Sequence, residues 1–181
     1  ARGTNIVNII QVDPGERVSA MISGRGFEED KCLVMVTRNG TVKRLEESAL
    51  KNIRTSGIRA LGLDEGDELI SVIQTDGAQN ILIATHNGLA ICFDENDVRT
   101  MGRTAVGVRG IKLRSGDYVV GAARAAEGNA LLSVTENGYG KRTLIEEYVR
   151  GTDGVPQKRG GMGLKKYNCT EKTGKIAGVK V

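Results

Sequence analysis

The chain has 181 residues, 39% of them hydrophobic and 27% charged, with a net charge of +4. This composition predicts a soluble globular protein with one substantial domain or two small ones. No apolar run is long enough to cross a bilayer and no signal peptide opens the chain, so we expect a cytoplasmic protein without membrane contact.

Three segments share one pattern, in which an aliphatic run ends in Thr, one further residue and Asn-Gly, and a second run follows. They read KCLVMVTRNGTVKR (31–44), QNILIATHNGLAIC (79–92) and NALLSVTENGYGKR (129–142). Asn-Gly between two such runs is a strong hairpin signal and favours a type I′ turn, in which both central residues have positive φ. The pattern therefore predicts a β-hairpin in each segment.

A second kind of segment alternates with these hairpins, and it contains a short strand, an acidic or glycine-containing turn and an aliphatic strand. These segments are residues 6–22, 58–73, 108–123 and 164–181. Together the two kinds predict about four strands in roughly 50 residues, which is typical of propeller blades. We therefore predict an all-β fold of pinwheel or propeller-like blades. Because a closed propeller needs more blades, we interpret residues 1–181 as a partial domain whose C-terminal repeat is incomplete.

The connections between the two kinds of segment combine arginine with glycine. They are LKNIRTSGIRALGL (50–63), VRTMGRTAVGVRGIKL (98–113) and VPQKRGGMGLKKY (155–167). Glycine lets backbone N–H groups approach an anion closely, and a neighbouring cation can neutralise a phosphate. Because the cations recur in register, we predict that successive blades display them along one rim.

The charge distribution also indicates a polyanionic partner. The stretch 141–181 contains ten basic residues and four acidic ones, so the positive charge is concentrated around the QKRGGMG motif at 157–163. A basic region of this kind is typical of proteins that bind nucleic acid.

At these motifs the chain resembles the C-terminal DNA-wrapping domain of the DNA gyrase A protein, a β-pinwheel, over essentially its whole length. The stretches that carry the resemblance are TRNGTVKR, DEGDELISV, DVRTMGRTAVGVRGIKL and TENGYGKRTLIEEY. The hallmark loop of that family, the gyrase A box, reads Gln-Arg-Arg-Gly-Gly-Lys-Gly. QKRGGMG departs from it at Lys158 and Met162. Because we expect the chain to begin at the second blade, this motif would be a second copy of the box, in the fourth blade.

The resemblance implies that the domain wraps duplex DNA and so supports ATP-dependent negative supercoiling by a bacterial type II topoisomerase. The implied partners are double-stranded DNA, the gyrase B protein and the remainder of the gyrase A protein. DNA cleavage and the use of ATP and Mg²⁺ belong to other parts of that enzyme, so no catalytic residue and no cofactor is expected here. The residues that we predict to contact DNA are Arg2, Lys43, Arg44, Arg54, Arg59, Arg103, Arg109, Lys141, Arg142, Gln157, Lys158, Arg159, Gly160, Gly161, Gly163 and Lys165.

Other interpretations of the sequence stay open at this point. The related C-terminal domain of topoisomerase IV carries a pinwheel with degenerate boxes. A propeller can also serve protein–protein contact, and a basic surface can bind single strands, although both usually rely on more aromatic side chains than the 3% found here. Independent catalysis is the weakest alternative, because His86 is the only histidine and Cys32, Cys92 and Cys169 are widely spaced.

Overall fold

A computed structural model describes residues 3, 30–52, 58–149 and 156–181 of the chain. Within these ranges the regular structure is β-strands and short 3-10 turns without any α-helix, which confirms the all-β prediction. The strands are β1 (Cys32–Thr37), β2 (Thr41–Glu46), β3 (Leu69–Thr75), β4 (Asn80–Thr85), β5 (Leu89–Asp94), β6 (Val108–Arg109), β7 (Val119–Arg124), β8 (Ala130–Thr135), β9 (Gly140–Leu144), β10 (Leu164–Lys165) and β11 (Ile176–Lys180). The 3-10 turns are Glu47–Leu50, Glu95–Asp97, Ala125–Glu127 and Ile145–Tyr148.

Each predicted hairpin lies within an antiparallel sheet, and in the two four-stranded sheets it supplies the two central strands. In the described part of the chain, sheet 1 has the order β3-β1-β2-β6, sheet 2 has the order β10-β5-β4-β7, and sheet 3 has the order β11-β8-β9. The hairpins β1–β2, β4–β5 and β8–β9 lie where the Asn-Gly pairs predict them.

One strand in each of the first two sheets comes from the following repeat, which the sequence did not reveal. The short strand β6 pairs with β2 of the preceding unit before the chain returns to its own sheet as β7. In the same way β10 pairs with β5 of sheet 2, and β11 then pairs with β8 of sheet 3. This strand exchange ties neighbouring sheets together through backbone hydrogen bonds.

The turn type at the hairpin tips differs from the prediction. Among the described residues only glycines have positive φ, so the asparagines do not adopt the type I′ conformation. Instead the N–H of Gly40 donates to the carbonyl of Thr37 at 3.0 Å, and Gly40, with φ of 84°, takes the left-handed conformation alone. This is a type I turn followed by a glycine bulge. The buried Thr37 hydroxyl then accepts the N–H of Thr41, which explains why each pattern includes a threonine.

The core is aliphatic and fills the spaces between sheets. Val34 and Val36 of sheet 1 pack with Ile81 and Ile83 of sheet 2, and alternate residues on the other face of sheet 2 pack against Leu131 of sheet 3. All six residues of β1 are buried because both faces of sheet 1 are covered. The repeats therefore stabilise one another face to face, as blades of a propeller do.

His86 has structural contacts. Its Nδ1 lies 2.8 Å from the carbonyl oxygen of Ile176, and its ring stacks on Tyr118 with 4.4 Å between centroids. The guanidinium of Arg38 lies 4.1 Å from the centroid of the Tyr118 ring. Because Arg38 and His86 both precede the asparagine of their hairpins, this stack joins equivalent turns of neighbouring units.

Candidate nucleic-acid interface

The second and third connections return to the preceding sheet at equivalent places. The N–H of Met101 donates to the carbonyl of Arg44 at 2.9 Å, and the N–H of Gln157 donates to the carbonyl of Cys92 at 2.8 Å. Arg44 and Cys92 both lie five residues beyond the asparagine of their hairpins. The QKRGGMG loop is therefore the structural counterpart of residues 101–107, MGRTAVG.

Both loops end in a glycine that the backbone requires. Gly107 and Gly163 have φ of 109° and 75°. A Cβ atom would lie 2.6 Å from the carbonyl oxygen of Val42 at Gly107, and 2.6 Å from that of Ala90 at Gly163. The close approach lets the next residues enter the sheet as β6 and β10, so this glycine has a structural purpose in each unit.

The connections also contact one another from unit to unit. The N–H of Gly62 donates to the carbonyl of Ala105 at 3.2 Å, and the N–H of Lys112 donates to that of Gly161 at 2.8 Å. These two bonds are equivalent in successive repeats. The N–H of Gly160 donates to the carbonyl of Gly110 at 2.8 Å, so this amide is engaged within the protein rather than presented to an anion.

Three predicted cations occupy one repeating position. Arg109 pairs with Thr41 and Lys165 pairs with Leu89, and Thr41 and Leu89 each follow the hairpin glycine. Arg59 holds the corresponding place in the first connection, three residues before Gly62. All three cations are exposed. The backbone thus presents a cation at the same point of each successive unit.

Other predicted residues are accessible but not tied to that position. Arg103 is exposed in the loop 101–107, and Arg142 is exposed on β9. Lys141 is also exposed, and its ammonium donates to the carbonyl of Lys166 at 2.8 Å. Lys112 was missed by sequence reasoning although it is exposed, and it lines an open groove of about 390 Å³ beside Arg109.

The structure removes Lys43 from the candidate contacts. Its side chain is fully buried, and its ammonium donates to the carbonyl oxygens of Ala60, Arg103 and Ala105 at 2.7, 2.7 and 2.9 Å. Desolvation by burial lowers the pKa of this group. Lys43 therefore holds the loop that carries Arg103 and has no surface to offer a phosphate.

Arg44 is likewise directed inward, with its side chain 13% exposed. Its Nη1 donates to the carbonyl oxygens of Glu95 and Val98 at 3.0 and 3.3 Å and to Oδ1 of Asn96 at 3.0 Å. Its Nε lies 3.7 Å from the Glu95 carboxylate. The side chain links sheet 1 to the turn after β5, which corrects its predicted placement on the surface.

Within QKRGGMG the polar side chains are placed very differently. Gln157 is buried, and its Nε2 donates to the carbonyl of Tyr148 at 2.8 Å, so it anchors the loop. Arg159 is half-buried and donates from Nε to the carbonyl of Asp97 at 3.0 Å and from Nη1 to that of Arg109 at 2.8 Å. The side chain of Lys158 is 89% exposed.

Arg2 and Arg54 lie outside the described residues. Across the described ranges, His, Cys, Asp and Glu side chains form no group of three or more that could hold a metal ion. The same ranges contain no helix with the length and apolarity to traverse a membrane. The cysteines are free, and burial raises the pKa of the Cys92 thiol to about 11.

A family profile described as DNA gyrase C-terminal domain, beta-propeller, matches residues 33–76, 79–126 and 129–181. The chain belongs to this family. Each matched stretch contains one hairpin and the longer strand that returns to it, so the repeat that defines the DNA gyrase C-terminal domain coincides with the unit seen in the structure. The resemblance found from the sequence motifs is confirmed.

Known proteins agree with this assignment. The DNA gyrase A protein of Helicobacter pylori (strain ATCC 700392 / 26695) is 47% identical over 99% of this chain, which covers 21% of that protein. A solved C-terminal domain of DNA topoisomerase IV has a TM-score of 0.84 and 30% identity over 98% of this chain and 54% of its own. A solved DNA gyrase A C-terminal domain has a TM-score of 0.81 and 27% identity. The match covers 97% of this chain and 57% of that domain's chain. The chain thus spans about a fifth of the length of the curated relatives.

Proposed function

We propose that this domain binds duplex DNA with little regard to sequence and contributes to DNA wrapping by a gyrase A protein. The observation that supports this function is the recurrence of exposed Arg59, Arg109 and Lys165 at one backbone-defined position of successive units. A row of cations at a fixed repeat suits the regular spacing of phosphates better than it suits base readout. Bending a duplex costs several kcal/mol, which such a row of contacts would offset.

In the parent enzyme the domain would act with the rest of the gyrase A protein and with the gyrase B protein during ATP-dependent negative supercoiling. We assign ATP hydrolysis, Mg²⁺ and strand cleavage to those other parts, and the cytoplasm as the place of action. Arg109 and Lys165 would then supply electrostatic attraction rather than chemistry.

The test is binding of the chain to a duplex of about 40 base pairs across a salt series, with a variant in which Arg59, Arg109 and Lys165 are all alanine. Each phosphate contact contributes about 0.9 to the slope of log K against log salt, so the slope should fall by nearly three units. The matched control replaces Lys172, Lys175 and Lys180, which are exposed cations outside the connections. Equal losses in both triple variants would contradict the proposed contact position.

Competition with single strands separates this function from the binding of unpaired nucleic acid. Single-strand binding relies on stacking of bases on aromatic rings. Among the four tyrosines, Tyr148 and Tyr167 are buried and the Tyr118 ring is stacked on His86, which leaves Tyr139, at 41% exposure, as the accessible tyrosine ring. A stacking platform for successive bases needs more than one such ring. We expect the duplex to compete better than a single strand of equal length, and a preference for the single strand would contradict the proposal.

A further inference from the structure

The QKRGGMG loop lies against an acidic side chain that sequence reasoning did not single out. Asp97 ends the turn Glu95–Asp97 after β5. Its Oδ2 accepts the backbone N–H of Arg159 at 3.3 Å, and its Oδ1 lies 3.6 Å from Nζ of Lys158. The carboxylate is mostly covered, with 19% of the side chain exposed.

A backbone N–H and an ammonium that converge on one anionic group are the donors that proteins use for a DNA phosphate. In this loop both donors face the Asp97 carboxylate instead. We infer that Lys158 and the Arg159 N–H form a phosphate subsite and that Asp97 occupies it, which weakens the hold of this loop on duplex DNA. The inference rests on the proposed function, because a backbone phosphate of the duplex is the ligand that Asp97 would displace.

The counterpart loop indicates that the acid is not needed to build the loop. β2 ends at Glu46 and β5 ends at Asp94, so Ala49 stands at the place that Asp97 holds in the next unit. The loop 101–107 nevertheless makes the same backbone bond to its sheet as QKRGGMG does. Of these two described loops, only the one with Lys158 carries a carboxylate against its cations.

The Asn variant isolates the charge of Asp97. In Asp97→Asn the side-chain oxygen can still accept the Arg159 N–H, and the main-chain carbonyl still accepts Nε of Arg159. In the duplex salt series we expect about three- to tenfold tighter binding at low salt and a slope steeper by about one unit, as for one added phosphate contact. The matched control is Glu171→Gln, which makes the same change of charge at an exposed position and should shift affinity less than about twofold.

Lys158→Ala is made in both backgrounds. In Asp97→Asn it should abolish the gain, whereas in the wild type it should change the slope by less than about half a unit, because Asp97 already faces the ammonium. The wild-type measurement does not depend on whether Asp97→Asn folds. If Lys158→Ala lowered the salt slope of the wild type by a full unit, the inference would be overturned.

The two proposals fail in different ways. A wild type that binds with a steep salt slope, together with an Asp97→Asn variant no tighter than Glu171→Gln, would overturn the subsite alone. If neither protein binds duplex at low salt, the proposed function and the subsite fail together. Tighter binding by Asp97→Asn that disappears with Lys158→Ala supports both.

Discussion

Replacing Lys43 with Met tests whether a buried ammonium holds the Arg103 loop in place. Lys43 is fully buried, and its three donors are used on the carbonyl oxygens of Ala60, Arg103 and Ala105. Methionine has a similar length and keeps the apolar stem of the side chain in contact with the sheet. The substitution therefore removes the charge and the hydrogen bonds with little change of volume.

The expected magnitude follows from opposing effects. A hydrogen bond to a charged group contributes about 1.5–3 kcal/mol, and the Lys43 ammonium makes three of them. Desolvation opposes this gain, as the lowered pKa of Lys43 indicates. Lys43→Met leaves these carbonyl oxygens without the ammonium donor, and a buried group that loses its partner costs about 1–3 kcal/mol. Because the relief of desolvation offsets part of the sum, we expect the free energy of unfolding to fall by about 3 kcal/mol. For a chain of this size that corresponds to a Tm lower by about 6–12 °C.

The assay is urea unfolding followed by circular dichroism, with Lys141→Met as the matched control. Lys141 occupies the equivalent position on β9, but it is exposed and its ammonium reaches one carbonyl. That variant should stay within about 0.5 kcal/mol of the wild type, as surface substitutions usually do. If Lys43→Met were as stable as Lys141→Met, the ammonium would not be holding the loop.

Two further substitutions test the backbone and the core. Gly163→Ala should lower the unfolding free energy by about 2 kcal/mol or more in chemical denaturation, because Gly163 has positive φ and its Cβ would lie 2.6 Å from the Ala90 oxygen. Gly161→Ala is the control, since its Cβ would meet only ordinary contacts, and equal losses would contradict this reasoning. Between pH 9 and about 11 the unfolded chain loses the Cys92 proton while the folded chain retains it, so stability falls with rising pH. Cys92→Val should lack this fall, on the order of 2–3 kcal/mol, when unfolding is measured across that range, and identical pH profiles would count against burial of the thiol.

The repeat pattern was enough to predict the sheets but not their exchange of strands. Thr37, Asn39 and Gly40 are close in sequence and form the tip of one hairpin, so a local pattern reveals it. β6 contains two residues and pairs across more than 60 positions with β2, and so short a strand leaves no periodicity to detect. The type I′ prediction was wrong because the same Asn-Gly pair also fits a type I turn followed by a glycine bulge, in which only the glycine has positive φ.

The candidate site could be predicted only in part for a similar reason. The sequence shows that Arg59, Arg109 and Lys165 recur. The exchanged strands fix Arg109 and Lys165 at one place relative to their hairpins, and the bond from Gly62 to Ala105 gives Arg59 the corresponding place. Burial of Lys43 and the contact between Asp97 and Lys158 depend on which segments meet in three dimensions. Asp97 precedes the loop by 60 residues, and nothing near it in sequence marks it as a partner.

A single repeat position shows why basic character alone does not identify a contact surface. Lys43, Ile91 and Lys141 all lie four residues after the asparagine of their hairpins. Lys43 is buried under a loop, Ile91 is in the core between sheets 1 and 2, and Lys141 is exposed at sheet 3. The neighbouring unit therefore decides whether a cation here supports the fold or faces solvent. At the position of Arg59, Arg109 and Lys165 the side chain is exposed in each described unit, and a wrapped duplex would meet its cations there.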